Sequence, residues 1–192
     1  MTGSAATLTA AETAFLVAAA DTIIPADDMS PSGSQCGVVD FIDRELAGHY
    51  GQGARLYRDG PIVKGKKEHG YQLGLTPREF FANGIAATDD WTRATRGKTF
   101  AELDEAGRQA ALTAIETGKA EFKNFEAKEF FEAVIAIVME GFFADPIHGG
   151  NRGMAGWKMV GYPGLPADYR TTIEGNRGKR HDLTPRGIAD RD

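Results

Sequence analysis

The stretch Glu126-Ala127-Lys128-Glu129-Phe130-Phe131-Glu132-Ala133-Val134-Ile135-Ala136-Ile137-Val138-Met139-Glu140-Gly141-Phe142-Phe143-Ala144 decides the fold. Its large apolar residues form two rows at i, i+4 spacing, Phe130/Val134/Val138/Phe142 and Phe131/Ile135/Met139/Phe143. A helix turns once every 3.6 residues, so the two rows lie side by side on one broad face. A stripe that wide has to be covered by several neighbours, which predicts the central helix of a bundle.

Downstream, Asp145-Pro146-Ile147-His148-Gly149-Gly150-Asn151-Arg152 ends this helix, and Gly156-Trp157-Lys158-Met159-Val160-Gly161-Tyr162-Pro163-Gly164 follows. Pro and Gly stop helices, whereas Trp, Met and Tyr mark an ordered segment, because burying them is what stabilises order. A tight reversal is expected, with a glycine at positive φ and Asp145 accepting backbone hydrogen bonds. Beyond it, Gly175-Asn176-Arg177-Gly178-Lys179-Arg180-His181-Asp182 reads as a polar, extended arm.

Upstream, the pattern is again helical. Thr9-Ala10-Ala11-Glu12 is a capping box ahead of Phe15, Leu16, Ala19, Ala20, Ile23 and Ile24, and Pro25 stops that helix. After a Ser/Gly/Pro-rich loop, a second helix starts near Gly37 with Val38, Phe41, Ile42 and Leu46 on one face, ending around Tyr50-Gly51. Residues 51–75 hold six glycines, one proline and the aromatics Tyr57 and Tyr71. A loop this long inside a compact domain is usually functional, and covering a partner is one such function. Thr76-Pro77-Arg78-Glu79 opens a third helix carrying Phe80, Phe81, Ile85 and Trp91, and a fourth spans about 104–117 with Leu112 and Ile115 inward and Gly118 as its stop. No strand alternation of useful length occurs. The expected architecture is all-α: a disordered N-terminus over 1–8, a single helical-bundle domain over 9–145 with long irregular loops, and an irregular C-terminal extension over 146–192 packing on the domain or on a partner.

Composition narrows the function classes. With 192 residues, 42% apolar and 26% charged residues, the chain has material for one core. A net charge of −5 without a basic stripe argues against nucleic acid. Lys64-Gly65-Lys66-Lys67 reads as a solvated loop. No apolar run is long enough for a membrane span. Met1 to Ala6 lacks the basic and apolar regions of a signal peptide, so the expectation is either a cytoplasmic protein or a mature form. The single Cys36 reads as a buried apolar residue, or else as one half of an intermolecular bridge.

Candidate chemistry is sparse. His49, His69, His148 and His181 share no metal-ligand spacing. Asp27-Asp28 and Asp89-Asp90 are neighbours that cannot face each other across a substrate, and capping or solvated surface explains them better. Ser30, Ser32 and Ser34 have no nearby histidine, and no phosphate-cradling loop is present. His148-Gly149-Gly150-Asn151 has the backbone for an oxyanion hole but no nucleophile beside it.

Taken together, Asp21-Thr22-Ile23-Ile24-Pro25, Gly37-Val38-Val39-Asp40-Phe41-Ile42-Asp43, the Asp145-Pro146…Gly149-Gly150-Asn151 run and Gly156-Trp157-Lys158 give a pattern. Over about residues 9–165 it resembles the gluconate 2-dehydrogenase subunit 3 family, the small subunits of bacterial flavin-dependent sugar and sugar-acid dehydrogenases. The resemblance implies a chain with no cofactor of its own. It would act beside a large FAD-containing subunit of the glucose–methanol–choline type, with a cytochrome c often receiving the electrons through haem c. It also implies help in maturation or export of that subunit, with periplasmic localisation through a twin-arginine signal. No such signal precedes Thr9, and His148 stands where the family pattern leads one to expect an aromatic such as tyrosine.

The expected function is therefore a non-catalytic small subunit supporting assembly, stability or export of a sugar, sugar-acid or glycoside dehydrogenase. No catalytic, cofactor or metal residue is assigned. Asp145, Pro146, His148, Gly149, Gly150, Asn151, Trp157, Met159, Tyr162 and Pro163 are the candidate structural and partner-interface residues. A freestanding all-α enzyme and a small-ligand-binding bundle are the alternatives.

Overall fold

The computed structural model describes residues 7–63, 65–66, 72–123, 126–165, 170–179 and 184–190. The expectations placed on Met1 to Ala6, Lys64, Lys67, His69, Tyr71 and His181 lie outside these residues. The fold is all-α. Helices α1 (Ala10–Ile23), α2 (Val38–Ala47), α3 (Pro77–Arg96), α4 (Glu105–Glu116), α5 (Ala127–Phe143), α6 (Ala155–Val160) and α7 (Arg170–Asn176) follow one another. No strand occurs among the described residues, where an isolated bridge pairs Gly164 with Arg186. The chain divides into two compact units, one of residues 1–18 and 43–134, the other of residues 19–42 and 135–192.

The first unit is organised by phenylalanine. Phe15 lies 4.9 Å from Phe100 and 6.1 Å from Phe130, and Phe80 and Phe81 each lie 6.1 Å from Phe130, between ring centroids. Tilted and edge-on aromatic pairs of this kind add to the stabilisation that burial alone gives. Gly84 makes room for the central ring: a Cβ there would stand 2.1 Å from Phe130 Cδ2. Helix α3 begins with the predicted Thr76/Glu79 capping box and proline and ends at Gly97 with φ 73°. Helix α4 is capped by Asp104 and stops before Gly118. Its inward face is Ala111 and Ile115, with Leu112 only half-buried, because the residue four positions before Ile115 takes the inward place.

Two polar devices tie this unit. Glu12, buried, completes the Thr9 capping box and receives both guanidinium nitrogens of Arg78 at 2.7 and 2.8 Å. Burial alone would raise its pKa, yet the Arg78 and Thr9 hydrogen bonds outweigh that and hold the carboxyl below the ordinary glutamate range. Asp89 differs from the expectation of capping or solvated acids for its pair. Asp90 is solvated, but Asp89 is buried, accepting the Phe100 N–H at 3.0 Å. Burial pushes its pKa up, with Phe100 and Arg93 opposing.

The second unit carries the loop between α1 and α2. Asp21 accepts the backbone N–H and the hydroxyl of Ser34 at 2.8 and 2.9 Å, and Asp27 accepts the N–H groups of Met29 and Ser30. Cys36 is buried and free, its thiol 3.5 Å from the Pro31 carbonyl. Burial and then the nearby Asp21 charge push the thiol pKa up, which makes it a poor nucleophile. Of the two apolar rows on α5, Phe130, Val134, Val138 and Phe142 are buried, whereas Phe131, Ile135 and Phe143 are half-buried and Met139 is exposed. Ile137 is buried as well. The buried stripe centres on the first row, and the second forms its flank.

Candidate partner interface

The segment after α5 is built by hydrogen bonds to the backbone. Asp145 is extended (φ −63°, ψ 134°) and heads a one-turn 3-10 helix, Pro146–His148. Its Oδ1 accepts the Ile147 N–H at 3.0 Å and its Oδ2 the Ile188 N–H at 2.8 Å, so one carboxylate holds the turn and the C-terminal stretch together. Gly149 closes the turn at φ 103°, a conformation that a side chain would strain. Its N–H bonds to the Pro146 carbonyl at 3.0 Å and is thereby used inside the turn. Gly150 is buried against α5: a Cβ there would stand 2.1 Å from the Gly141 carbonyl oxygen.

Asn151 is the centre of the reversal. It is fully buried, in the left-handed region at φ 47°, and both ends of its amide are engaged. Nδ2 donates to the Ala144 carbonyl at 2.9 Å, and Oδ1 accepts the Gly156 N–H at 2.9 Å. The side chain thus satisfies a free carbonyl past the end of α5 and a free N–H at the start of α6, groups that a helix leaves without partners. Arg152 continues the staple, its N–H bonding to the Cys36 carbonyl at 2.9 Å and its guanidinium pairing with Asp40.

Helix α6 then presents the aromatic run. Trp157 is 5% exposed and its indole N–H bonds to the Phe143 carbonyl at 2.8 Å. Gly161 (φ 70°) ends the helix with paired bonds, from the Tyr162 N–H to Trp157 O at 2.8 Å and from its own N–H to Lys158 O at 3.3 Å. This closing motif fixes the residues that follow. Tyr162 packs edge-on against Trp157 with centroids 5.0 Å apart. Met159 at 39%, Val160 at 58% and Tyr162 at 38% exposure remain open to solvent, as do Ile147 and Ile188.

The pattern matches the gluconate 2-dehydrogenase subunit 3 family model over residues 10–164. The chain belongs to that family. Membership in the gluconate 2-dehydrogenase subunit 3 family makes it a subunit of a dehydrogenase complex. No curated protein and no solved structure matches the chain.

The ten candidate residues of this family segment fall within one unit and divide by role. Asp145, Gly149, Gly150, Asn151 and Trp157 are internal scaffold, with Pro146 opening the turn. His148, Met159 and Tyr162 face solvent, and Pro163 is half-buried, its carbonyl receiving the Arg186 N–H at 3.3 Å. The partners missed in the sequence are Gly156, whose Cβ would stand 2.4 Å from the Phe142 carbonyl oxygen, the Arg152–Asp40 pair, and the 184–190 stretch held by Asp145. Gly156 lies in the Gly156-Trp157-Lys158 motif, where a glycine beside a tryptophan is compatible with a close backbone approach. The other two join residues far apart in the chain, and no local pattern announces them.

For other chemistry, no group of three His, Cys, Asp or Glu residues suited to a metal occurs among the described residues. His49 and His148 are both exposed. The first unit holds an open cleft of about 640 Å³ lined by Trp91, Phe122, Asp90, Glu121 and small residues of α3. Asp90 there is mostly exposed and pairs with Arg93 at 3.3 Å. No helix among the described residues is long and apolar enough to cross a membrane.

Proposed function

We propose that this chain is the non-catalytic small subunit of a flavin-dependent, glucose–methanol–choline-type dehydrogenase acting on sugars, sugar acids or glycosides. FAD belongs to the large subunit in this reading, and haem c to an electron-accepting cytochrome. The chain's own work is to support assembly, stability and twin-arginine export of the large subunit into the periplasm.

The observation that carries this reading is how the residues of the Asp145–Pro163 segment are spent. Asp145, Asn151 and the Trp157 indole are committed to backbone partners and hold the turn in place. What the scaffold presents is Met159, Val160 and Tyr162, an apolar and aromatic set of the kind that anchors protein interfaces. A rigid mount for exposed apolar side chains serves binding, because little entropy remains to be lost on docking.

Co-expression with the product of the adjacent open reading frame tests it. The expected result is a yellow complex in which the chain co-purifies with a flavoprotein, while the chain alone is colourless and inactive. A flavin or haem band in the isolated chain, or sugar turnover by it, overturns the reading.

A further inference from the structure

The segment between α2 and α3 offers a second apolar surface, on the first unit, whose base is held while its outer part is bare. At the base, Gly51 and Gly53 are buried. The Gly51 carbonyl accepts the Arg78 N–H at 3.0 Å, and a Cβ on Gly51 would stand 1.9 Å from the Leu46 carbonyl oxygen. A further Cβ, on Gly53, would touch the proline that opens α3, at 3.6 Å. Beyond that footing the side chains turn outward: Tyr57 is 84% exposed, Val63 73% and Ile62 55%. Ile62 rests its Cδ1 where a side chain on Gly74 would be, 2.6 Å from the would-be Cβ, so the two limbs of the loop meet. Three exposed apolar side chains within one short stretch of loop are the material of an interaction surface.

The charges identify the occupant. Among the described residues of the loop, Arg55, Arg58 and Lys66 stand against Asp59 alone, in a chain whose net charge is −5. Arg58 is 3.9 Å from Glu79 in a solvent-exposed pair, a geometry that contributes little and is readily exchanged. A tyrosine and two aliphatics flanked by cations suit an apolar surface with a carboxylate rim. A second copy of this acidic chain would also bring carboxylates, but the family makes this chain one component of a dehydrogenase complex, and another subunit is the partner at hand.

We infer that the 54–63 loop is a second docking element, seating Tyr57, Ile62 and Val63 on an apolar, acid-rimmed surface of the large catalytic subunit. This inference rests on the function proposed above. It adds a contact made by the first unit, independent of the turn in the second.

The test uses the complex with the product of the adjacent open reading frame, the large subunit being identified by mass spectrometry and its flavin spectrum. The variants are Tyr57→Ala/Val63→Asp and Arg55→Glu/Lys66→Glu, with helicity and melting of each chain checked against wild type. The first pair is expected to keep the wild-type melt and to weaken the complex at least tenfold. The second pair is expected to slow association and to flatten its dependence on salt. If the wild-type complex forms and both variants bind as tightly, this inference falls while the proposed function stands. If the wild-type chain brings down no flavoprotein, the proposed function fails and this inference with it. Co-sedimentation of the isolated chain with phosphatidylglycerol vesicles, lost in Tyr57→Ala/Val63→Asp, assigns the loop to a membrane and overturns the inference. So does a self-dimer in light scattering that is lost in the same variant.

Discussion

The two units of this chain are held by different physics. The first is a cluster of five phenylalanine rings, joined by an ion pair between buried Glu12 and half-buried Arg78. The second, around the reversal, depends on backbone groups approaching closely at Gly150 and Gly156 and on one buried amide, Asn151. A ring cluster is non-directional and loses stability in proportion to what is removed. A hydrogen-bonded staple is directional, and removing one partner leaves others buried and unsatisfied. A deletion in the first unit therefore reads out as lost area, and one in the second as broken geometry.

The largest expected effect tests the ring cluster. Phe130→Ala removes the ring that faces Phe15, Phe80 and Phe81, and buried Phe→Ala changes cost about 3–5 kcal/mol. Denaturant melts should show this loss with the transition still cooperative. A loss under about 1 kcal/mol would mean that the ring is not central.

The next pair sets one unit against the other directly. Gly84→Ala places a methyl 2.1 Å from Cδ2 of the buried Phe130 ring, a clash with a side chain that is offset in part because alanine is the better helix former by about 1 kcal/mol. Gly150→Ala places the same methyl 2.1 Å from the Gly141 carbonyl oxygen, part of a helix backbone. Overpacking of this kind costs about 1–3 kcal/mol or more, and the expected order in thermal melts is that Gly150→Ala is the more damaging. Equal melting temperatures would erase the proposed difference between the units. Asn151→Ala belongs beside it: the Ala144 carbonyl and the Gly156 N–H lose their partner, at about 1–3 kcal/mol for a buried group left unpaired.

The same contrast explains what was legible in the sequence. Helix α5, the Thr76/Glu79 box and the Gly118 stop are local patterns, since periodicity and capping act within a few residues. The reversal was legible as a turn because Pro146 and Gly149 mark one locally. Its fastenings were not: Asp145 to Ile188 and Arg152 to Asp40 span 43 and 112 residues, and nothing in a single sequence encodes such pairings. Asp89 illustrates the same limit. Its burial follows from the backbone of Phe100 reaching it, 11 positions on, and not from any property of an Asp-Asp pair.

A smaller effect, with a pH signature, belongs to Glu12. Its folded pKa lies below the ordinary value, so the Glu12–Arg78 pair contributes stability above the unfolded glutamate pKa and loses it as pH falls through the folded one. Glu12→Gln should lower stability at neutral pH by about 1.5–3 kcal/mol, the range for hydrogen bonds to charged groups. The gap between wild type and variant should close below the ordinary glutamate range. A gap that stays constant from neutral to acid pH would show that the carboxylate charge is not what Arg78 holds.

The smallest effect on stability should accompany a large effect on assembly. Met159 is on α6 between the buried Trp157 and the Gly161 stop, 39% exposed, and no hydrogen bond of the reversal depends on its side chain. Changing an exposed side chain away from caps and cores shifts stability by about 0.5 kcal/mol or less. Met159→Asp should therefore melt with the wild type. In the complex, however, the same carboxylate would be buried without a partner if α6 docks on an apolar surface, and binding should weaken at least tenfold. Trp157→Ala provides the opposite pattern, since it removes a buried indole and leaves the Phe143 carbonyl unpaired, so it should lower the melting temperature before any partner is added. If Met159→Asp binds the large subunit as well as wild type does, the exposed face of α6 is not part of the interface. The scaffold of the reversal would then serve the chain's own fold.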